Sequence, residues 1–195
     1  MSKARLEAFS DGVVAILITI MVLEFKTPQD ATVAALAANA PLFAIYILSF
    51  VFLGIYWTNH HHLFHAATRI SGGVLWANLH LLFWLSLVPF VTAWMAEFHG
   101  APLPTAVYAG VFLLDGIAWT ILKNTLVRLE GPRSRLGRAV GRDIKGRVSL
   151  ALYLSAIGLA FVRPWIAQTL VAVVAAMWLV PDRRIEAALS ETAAR

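Results

Sequence analysis

Apolar residues run along this chain in long blocks separated by short polar punctuation. The first block covers residues 8–25, and Thr27-Pro28-Gln29-Asp30 follows as a turn or helix start. A second helix is expected over 32–64, with Pro41 near the start of its most apolar part, and a third over 73–98. His99-Gly100-Ala101-Pro102-Leu103-Pro104 breaks the pattern, because two prolines and a glycine discourage helix. The fourth block spans 105–129, a basic loop covers 133–147, and two shorter blocks cover 148–162 and 165–180, stopping at Pro181-Asp182. A membrane span needs about 20 apolar residues. The pattern therefore predicts an all-α, polytopic membrane protein of about six transmembrane helices. Residues 1–195 read as a single six-helix domain, with no internal repeat.

Composition agrees. Hydrophobic residues make up 59% of the chain and charged residues 14%, against about 25% charged in a typical soluble domain. A chain this apolar has too few polar residues to cover a water-facing surface, whereas a lipid-facing surface is apolar. Residues 1–26 imitate the basic and apolar regions of a secretory signal but lack a small-residue cleavage site after the apolar run. They read as a retained first span. There is no cysteine, which excludes disulfides and thiolate metal sites.

Charge gives an orientation. With both termini placed in the cytoplasm, fourteen Lys and Arg fall inside and two, Lys26 and Arg163, outside. This is the positive-inside bias. It explains the basic balance through topology and anionic lipid heads. Nucleic acid is not an expected partner, because the basic loop lacks the interleaved aromatics of a stacking surface.

Three stretches carry candidate chemistry. In the first span, Asp11 lies at the hydrocarbon edge, where ionisable groups are paired or face a cavity. Arg5 stands six residues earlier and can reach toward it, and Ser10 can bond to another helix; a helix cap or a simple interfacial charge is the plainer reading of Asp11. Above it, Ile16, Ile20 and Leu23 form one stripe bordered by Thr19. On spacing alone that stripe reads as packing or lipid contact. At the cytoplasmic end of the second span, Trp57, Asn59, His60 and His61 share a depth with Ser10 and Asp11, which favours interhelical hydrogen bonds. His61 and His65 are also spaced as a metal clip. In the third and fourth spans, Pro89 should loosen its helix, and Asp115 is a candidate buried carboxylate whose partner the sequence does not name. A secondary transporter with a midspan site and a membrane metalloenzyme using His60, His61 and His65 are the alternative readings. No phosphate loop, nucleophile elbow or catalytic carboxylate pair is present, so no enzyme activity is expected.

The motifs resemble a known family. Arg5-x-x-x-Phe9-Ser10-Asp11 is similar to the signature of the endosomal/lysosomal potassium channel family, and Trp57-x-Asn59-His60-His61-x-x-Phe64, Leu87-Val88-Pro89-Phe90 and Pro181-Asp182-Arg183-Arg184 resemble its later runs, in order. One six-helix unit, instead of two, is the prokaryotic form. The resemblance implies a homotetramer in the plasma (inner) membrane of a prokaryote. The first helix of each subunit would line a potassium-permeable pore, with no cofactor. It implies Ile16, Ile20 and Leu23 as apolar constriction rings, Ile16 the tightest, and Thr19 as a selectivity residue. Arg5, Ser10 and Asp11, with Trp57 and His61, are implied as the network that holds the pore helix. A Thr-Val-Gly-Tyr-Gly carbonyl filter is absent from the chain.

Overall fold

The computed structural model describes residues 2–25, 27–131, 134–140 and 143–179. Among the described residues all regular structure is helical. The order is α1 (Lys3–Ile20) with a closing 3-10 turn (Met21–Glu24), α2 (Val33–Ala37), α3 (Ala40–Ala66), α4 (Gly72–Leu85), α5 (Val88–Glu97), α6 (Pro102–Glu130), α7 (Arg135–Val140), α8 (Ile144–Ala160) and α9 (Pro164–Leu179). Lys26, Arg133, Arg142 and the run 181–184 lie outside the described residues.

Several expected blocks are subdivided, each for a local reason. The block at 32–64 opens with α2, a single capped turn in which the Thr32 hydroxyl accepts from the Ala35 N–H at 3.2 Å. The long helix begins only at Ala40, with Pro41 in its first turn, where a missing N–H costs nothing. The block at 73–98 is two helices. Pro89 cannot donate to the Leu85 carbonyl and its ring would crowd it. The chain therefore tightens at Ser86 and Leu87, whose N–H groups bond Leu82 and Trp84 at 3.0 Å, and α5 restarts with Pro89 in its first turn. The basic stretch at 133–147 is not all loop, because it holds α7 and the first turn of α8.

Four stretches are long and apolar enough to cross a membrane: Lys3–Glu24, Ala40–Ala66, Gly72–Glu97 and Pro102–Glu130. Helix α9 is apolar but shorter. Helix α6 is the central post, packed against α4, α5, α8 and α9. Its buried stripe runs through Tyr108, Phe112, Asp115, Ala118, Leu122 and Leu126. The aromatic part of this core joins Phe52 of α3 to Phe112 of α6 at 4.2 Å between ring centroids, and Tyr153 of α8 stacks on Phe112. The hydroxyls of Ser49, Thr92 and Tyr108 bond in a row, at 2.7 and 2.8 Å, and link α3, α5 and α6.

Half of the most apolar window of the third and fourth stretches is buried, but only 28% of the first and 22% of the second. Helices α1 and α3 therefore keep most of their surface free for lipid or for other copies of the chain. Among the described residues helix α1 rests chiefly on α3, α4 and α5.

One end of the bundle gathers the start of α1, the α3–α4 turn and the connection from α6 to α8; we call it the basic face. Lys3 Nζ donates to the Ala67 carbonyl at 3.0 Å. The Glu130 carboxylate, closing α6, accepts from the N–H groups of Thr68 and Arg69 and from the Thr68 hydroxyl. Gly131, at φ +97°, then turns the chain away from the helix. Asp143 pairs with the buried Lys123 of α6 and caps α8 by accepting from the Gly146 N–H at 2.8 Å.

These caps make opposite predictions for two glycines of α8. A Cβ on Gly146 would lie 2.5 Å from an Asp143 carboxylate oxygen, whereas one on Gly158 meets nothing within 4 Å. Gly146→Ala should displace the cap and lose about 1 kcal/mol. Gly158→Ala should gain about 0.5–1 kcal/mol from helix propensity. Thermal unfolding in detergent checks the pair, with midpoints expected to move in opposite directions.

Candidate functional site

Helix α1 has two faces of similar polarity and different fates. Leu6, Ser10, Val14, Leu17 and Met21 recur at helical spacing and are buried against the bundle. The opposite face carries Phe9, Ile16, Ile20 and Leu23, which are 50%, 57%, 41% and 76% exposed. Both stripes are apolar, so hydrophobicity alone does not decide which one turns inward.

Polar contacts decide it. The Ser10 hydroxyl donates to the Leu6 carbonyl at 2.9 Å and accepts from Asn78 Nδ2 of α4 at 3.0 Å. The Asn78 carbonyl oxygen in turn accepts from His60 Nε2 of α3 at 2.8 Å. That partner assigns the ring its Nε2–H tautomer. Ser10, His60 and Asn78 are all buried. A buried group left unpaired costs about 1–3 kcal/mol, so the relay admits one rotation of α1. Beside it, at the more open edge, the Trp57 indole N–H donates to Asp11 Oδ1 at 3.0 Å. At the far end, Phe25 packs on Phe43 and Tyr46 of α3, with ring centroids 4.5 and 5.1 Å away. Helix α1 is thus pinned to the bundle at both ends.

The relay brings together Ser10, Asp11, Trp57 and His60 of the residues expected from the sequence. It leaves three others aside. Asn59 turns its amide back to the Ile55 carbonyl of its own helix at 2.8 Å. His61 is exposed and stacks on His65, 6.1 Å between ring centroids. Arg5 is exposed and makes no ion pair with Asp11, its backbone N–H bonding the Ser2 hydroxyl that caps α1. Among the described residues no group of three or more His, Cys, Asp or Glu could hold a metal. The Thr19 hydroxyl donates to the Ala15 and Ile16 carbonyls at 3.0 Å, which leaves its oxygen lone pairs outward on the exposed face.

Asn78 is the residue that sequence reasoning missed. Its signal was depth. Asn78 lies six residues into α4, His60 six residues before the end of α3, and Ser10 seven residues into α1. At about 1.5 Å per residue each sits roughly 9–10.5 Å from the basic face. A polar side chain at matched depth in an otherwise apolar helix is a hydrogen-bond partner by default.

Known proteins resemble this chain in sequence and in fold. Residues 5–89 match the family profile described as endosomal/lysosomal potassium channel TMEM175. A potassium channel of Chryseobacterium sp. (strain P1-3) is 49% identical, over 98% of this chain and all of the relative. A potassium channel of Streptomyces collinus is 35% identical over 82% of this chain and 83% of the relative. The crystal structure of a lysosomal potassium-selective channel TMEM175 homolog from Chamaesiphon minutus superposes with a TM-score of 0.80 at 33% identity, covering 91% of this chain and 96% of that one. These relatives are named as channels, not as enzymes.

The relay predicts an order of sensitivity. Asn78→Ala strands the buried His60 N–H and removes the interhelical donor to Ser10, and should cost about 1–3 kcal/mol. His61→Ala, at an exposed and unbonded ring, should stay within about 0.5 kcal/mol of the parent. Thermal unfolding of the two variants in one detergent checks the ranking.

Proposed function

This chain belongs to the endosomal/lysosomal potassium channel TMEM175 family, and we propose that it is a potassium-permeable channel assembled from four copies around a pore lined by α1. The relatives named as potassium channels support the ion. The uncovered stripe of α1 supports the lining and carries the proposal: a helix pinned at both ends presents Ile16, Ile20 and Leu23 outward with nothing over them. One helix cannot enclose a path, so the enclosure must come from symmetry, and a closed ring satisfies it. The chain then acts as a single six-helix domain that crosses the plasma membrane of a prokaryote with both termini inside.

In this arrangement the constriction is a set of apolar rings, Ile16 the narrowest. Such rings gate by dewetting, and ions pass only when water is shed or the ring widens. Potassium gives up water more readily than sodium, so an apolar ring penalises sodium more without any cage of carbonyls. The Thr19 lone pairs, turned outward one turn above Ile16, supply acceptors for an ion that has just left its shell. Ser10, Asp11, Trp57 and His60 act through α1: they hold its rotation, and Asn78 joins them in that role. Arg5, Asn59 and His61 complete the expected set, with Arg5 and His61 free to meet neighbouring subunits.

Liposome flux tests the proposal. Purified protein should conduct potassium in single-channel steps, which an alternating-access transporter does not produce. Ile16→Asn, which puts an amide into the narrowest ring, should raise potassium conductance at least about tenfold, equivalent to about 1.4 kcal/mol off the barrier, and lower selectivity against sodium. Flux at the empty-liposome level, or unchanged conductance in Ile16→Asn, would contradict the reading.

A further inference from the structure

The pore reading leaves one buried ionisable group without a task. Asp115 lies halfway along α6, fully buried, and neither oxygen of its carboxyl has a hydrogen-bond partner. Buried polar groups in folded proteins are almost always bonded. A carboxyl inside a membrane bundle must hold a proton, find water or find a cation.

A cavity lies near it, with the adjacent Gly116 and not Asp115 itself in the wall. This cavity, of about 40 Å³, lies between α3, α6, α8 and α9, walled in part by Tyr56, Asn59, Gly116, Trp119, Ser149 and Tyr153. One water needs about 10–15 Å³ and two or more polar neighbours; the volume admits one, and in a mostly apolar wall the polar neighbours come from the few side chains just named. Gly116 is the next residue after Asp115, and Tyr56 and Tyr153 both lie within electrostatic reach of its carboxyl. The cavity runs toward the basic face, since Asn59 precedes His60 of the relay and Ser149 lies in the second turn of α8.

Other charged or titratable groups on the surrounding elements are engaged or distant. His80 of α4 accepts from the Trp84 indole. Lys123 of α6 is paired with Asp143, and His60 of α3 with Asn78. Glu97 of α5 is exposed at the opposite end, Lys145 and Arg147 start α8 at the basic face, Arg138 of α7 lies at the same face, and α9 carries no titratable side chain from Pro164 to Leu179. The groups left to answer Asp115 are the hydroxyls of Tyr56 and Tyr153.

We propose that Asp115 and this cavity form an internal proton-binding site, hydrated from the basic face, whose occupancy is transmitted through α3 to the pore helix. A proton passes from bulk water through the cavity water to the carboxyl. When it leaves, the bare charge draws water and the two tyrosine hydroxyls toward itself, because an unpaired charge in a dry bundle is costly. Tyr56 moves with that change, and Trp57, the next residue of α3, holds Asp11 of α1. Consecutive helical residues point about 100° apart, so α3 touches the proton site with one side chain and the pore helix with the next. The link to the pore rests on the function proposed above; the proton site itself does not.

Infrared difference spectroscopy on the protein in lipid tests the site without any conduction. A protonated-carboxyl C=O band should change intensity when the bath is cycled between about pH 5.5 and 8.5, shift in D₂O within seconds, and vanish in Asp115→Asn, as expected of a carboxyl that exchanges protons with bulk water. Wild-type protein labelled with ¹³C at aspartate side chains should shift the same band, which keeps the test decisive if Asp115→Asn does not assemble. A band that is absent, constant with pH, unmoved by aspartate labelling or slow to exchange would overturn the hydrated proton site. In liposomes, wild-type potassium flux should change at least about threefold over that pH range on the basic-face side, and Asp115→Asn should hold within about 1.3-fold. Equal pH dependence in the two proteins would overturn the coupling to the pore.

Discussion

The structure depends on how an almost uniformly apolar helix is held at one rotation. Lipid is as apolar as a protein core, so burying a leucine stripe rather than an isoleucine stripe gains little inside a membrane. Helix α1 carries both. What separates them is the relay Ser10–Asn78–His60, with Asp11–Trp57 alongside. Rotating α1 by one residue would break the Ser10–Asn78 bond and leave the buried Asn78 amide N–H without its acceptor where water cannot reach it. That cost, and not hydrophobicity, selects the face that Ile16, Ile20 and Leu23 present.

The other helices serve that selection. Helix α4 supplies Asn78 and is backed by α6, the central post. Helix α3 supplies His60 and Trp57 at one end and Phe43 and Tyr46 at the other. The break at Ser86 and Leu87 lets α5 lean back over α1 and α3 while α4 keeps its register at the relay. At the basic face, Glu130 fastens the α3–α4 turn to α6 and Lys3 fastens α1 to the same turn. A fixed scaffold around one lightly buried helix leaves the remaining surface of that helix for the copies proposed above.

Much of this was legible in the sequence, because its determinants are local. Apolar block length announced the spans, and Ser10, Asp11, Trp57 and His60 stood out as polar residues at one depth in apolar helices. The division at 86–87 was half visible: Pro89 marked a disturbance, but whether a proline kinks a helix or ends it depends on what packs around it. Asn78 was hidden because a single amide in a run of Leu, Trp and Phe has no local partner, and its meaning appears only when α4 is set beside α1. Asn59 and His61 sit within two residues of His60, yet a helix turns about 100° per residue, so they were carried off the relay. Arg5 is long enough to reach several places, and spacing cannot choose among them.

The most direct test of the account is the rotation of α1 in the assembled protein. The chain contains no cysteine, so single cysteines can be placed along α1 against a silent background. Charged thiol reagents should abolish potassium flux in Ile16→Cys, Ile20→Cys and Leu23→Cys, and leave it intact in Val14→Cys, Leu17→Cys and Met21→Cys. The opposite pattern, or equal sensitivity on both faces, would contradict the claim that the polar relay turns the isoleucine stripe toward the ion path.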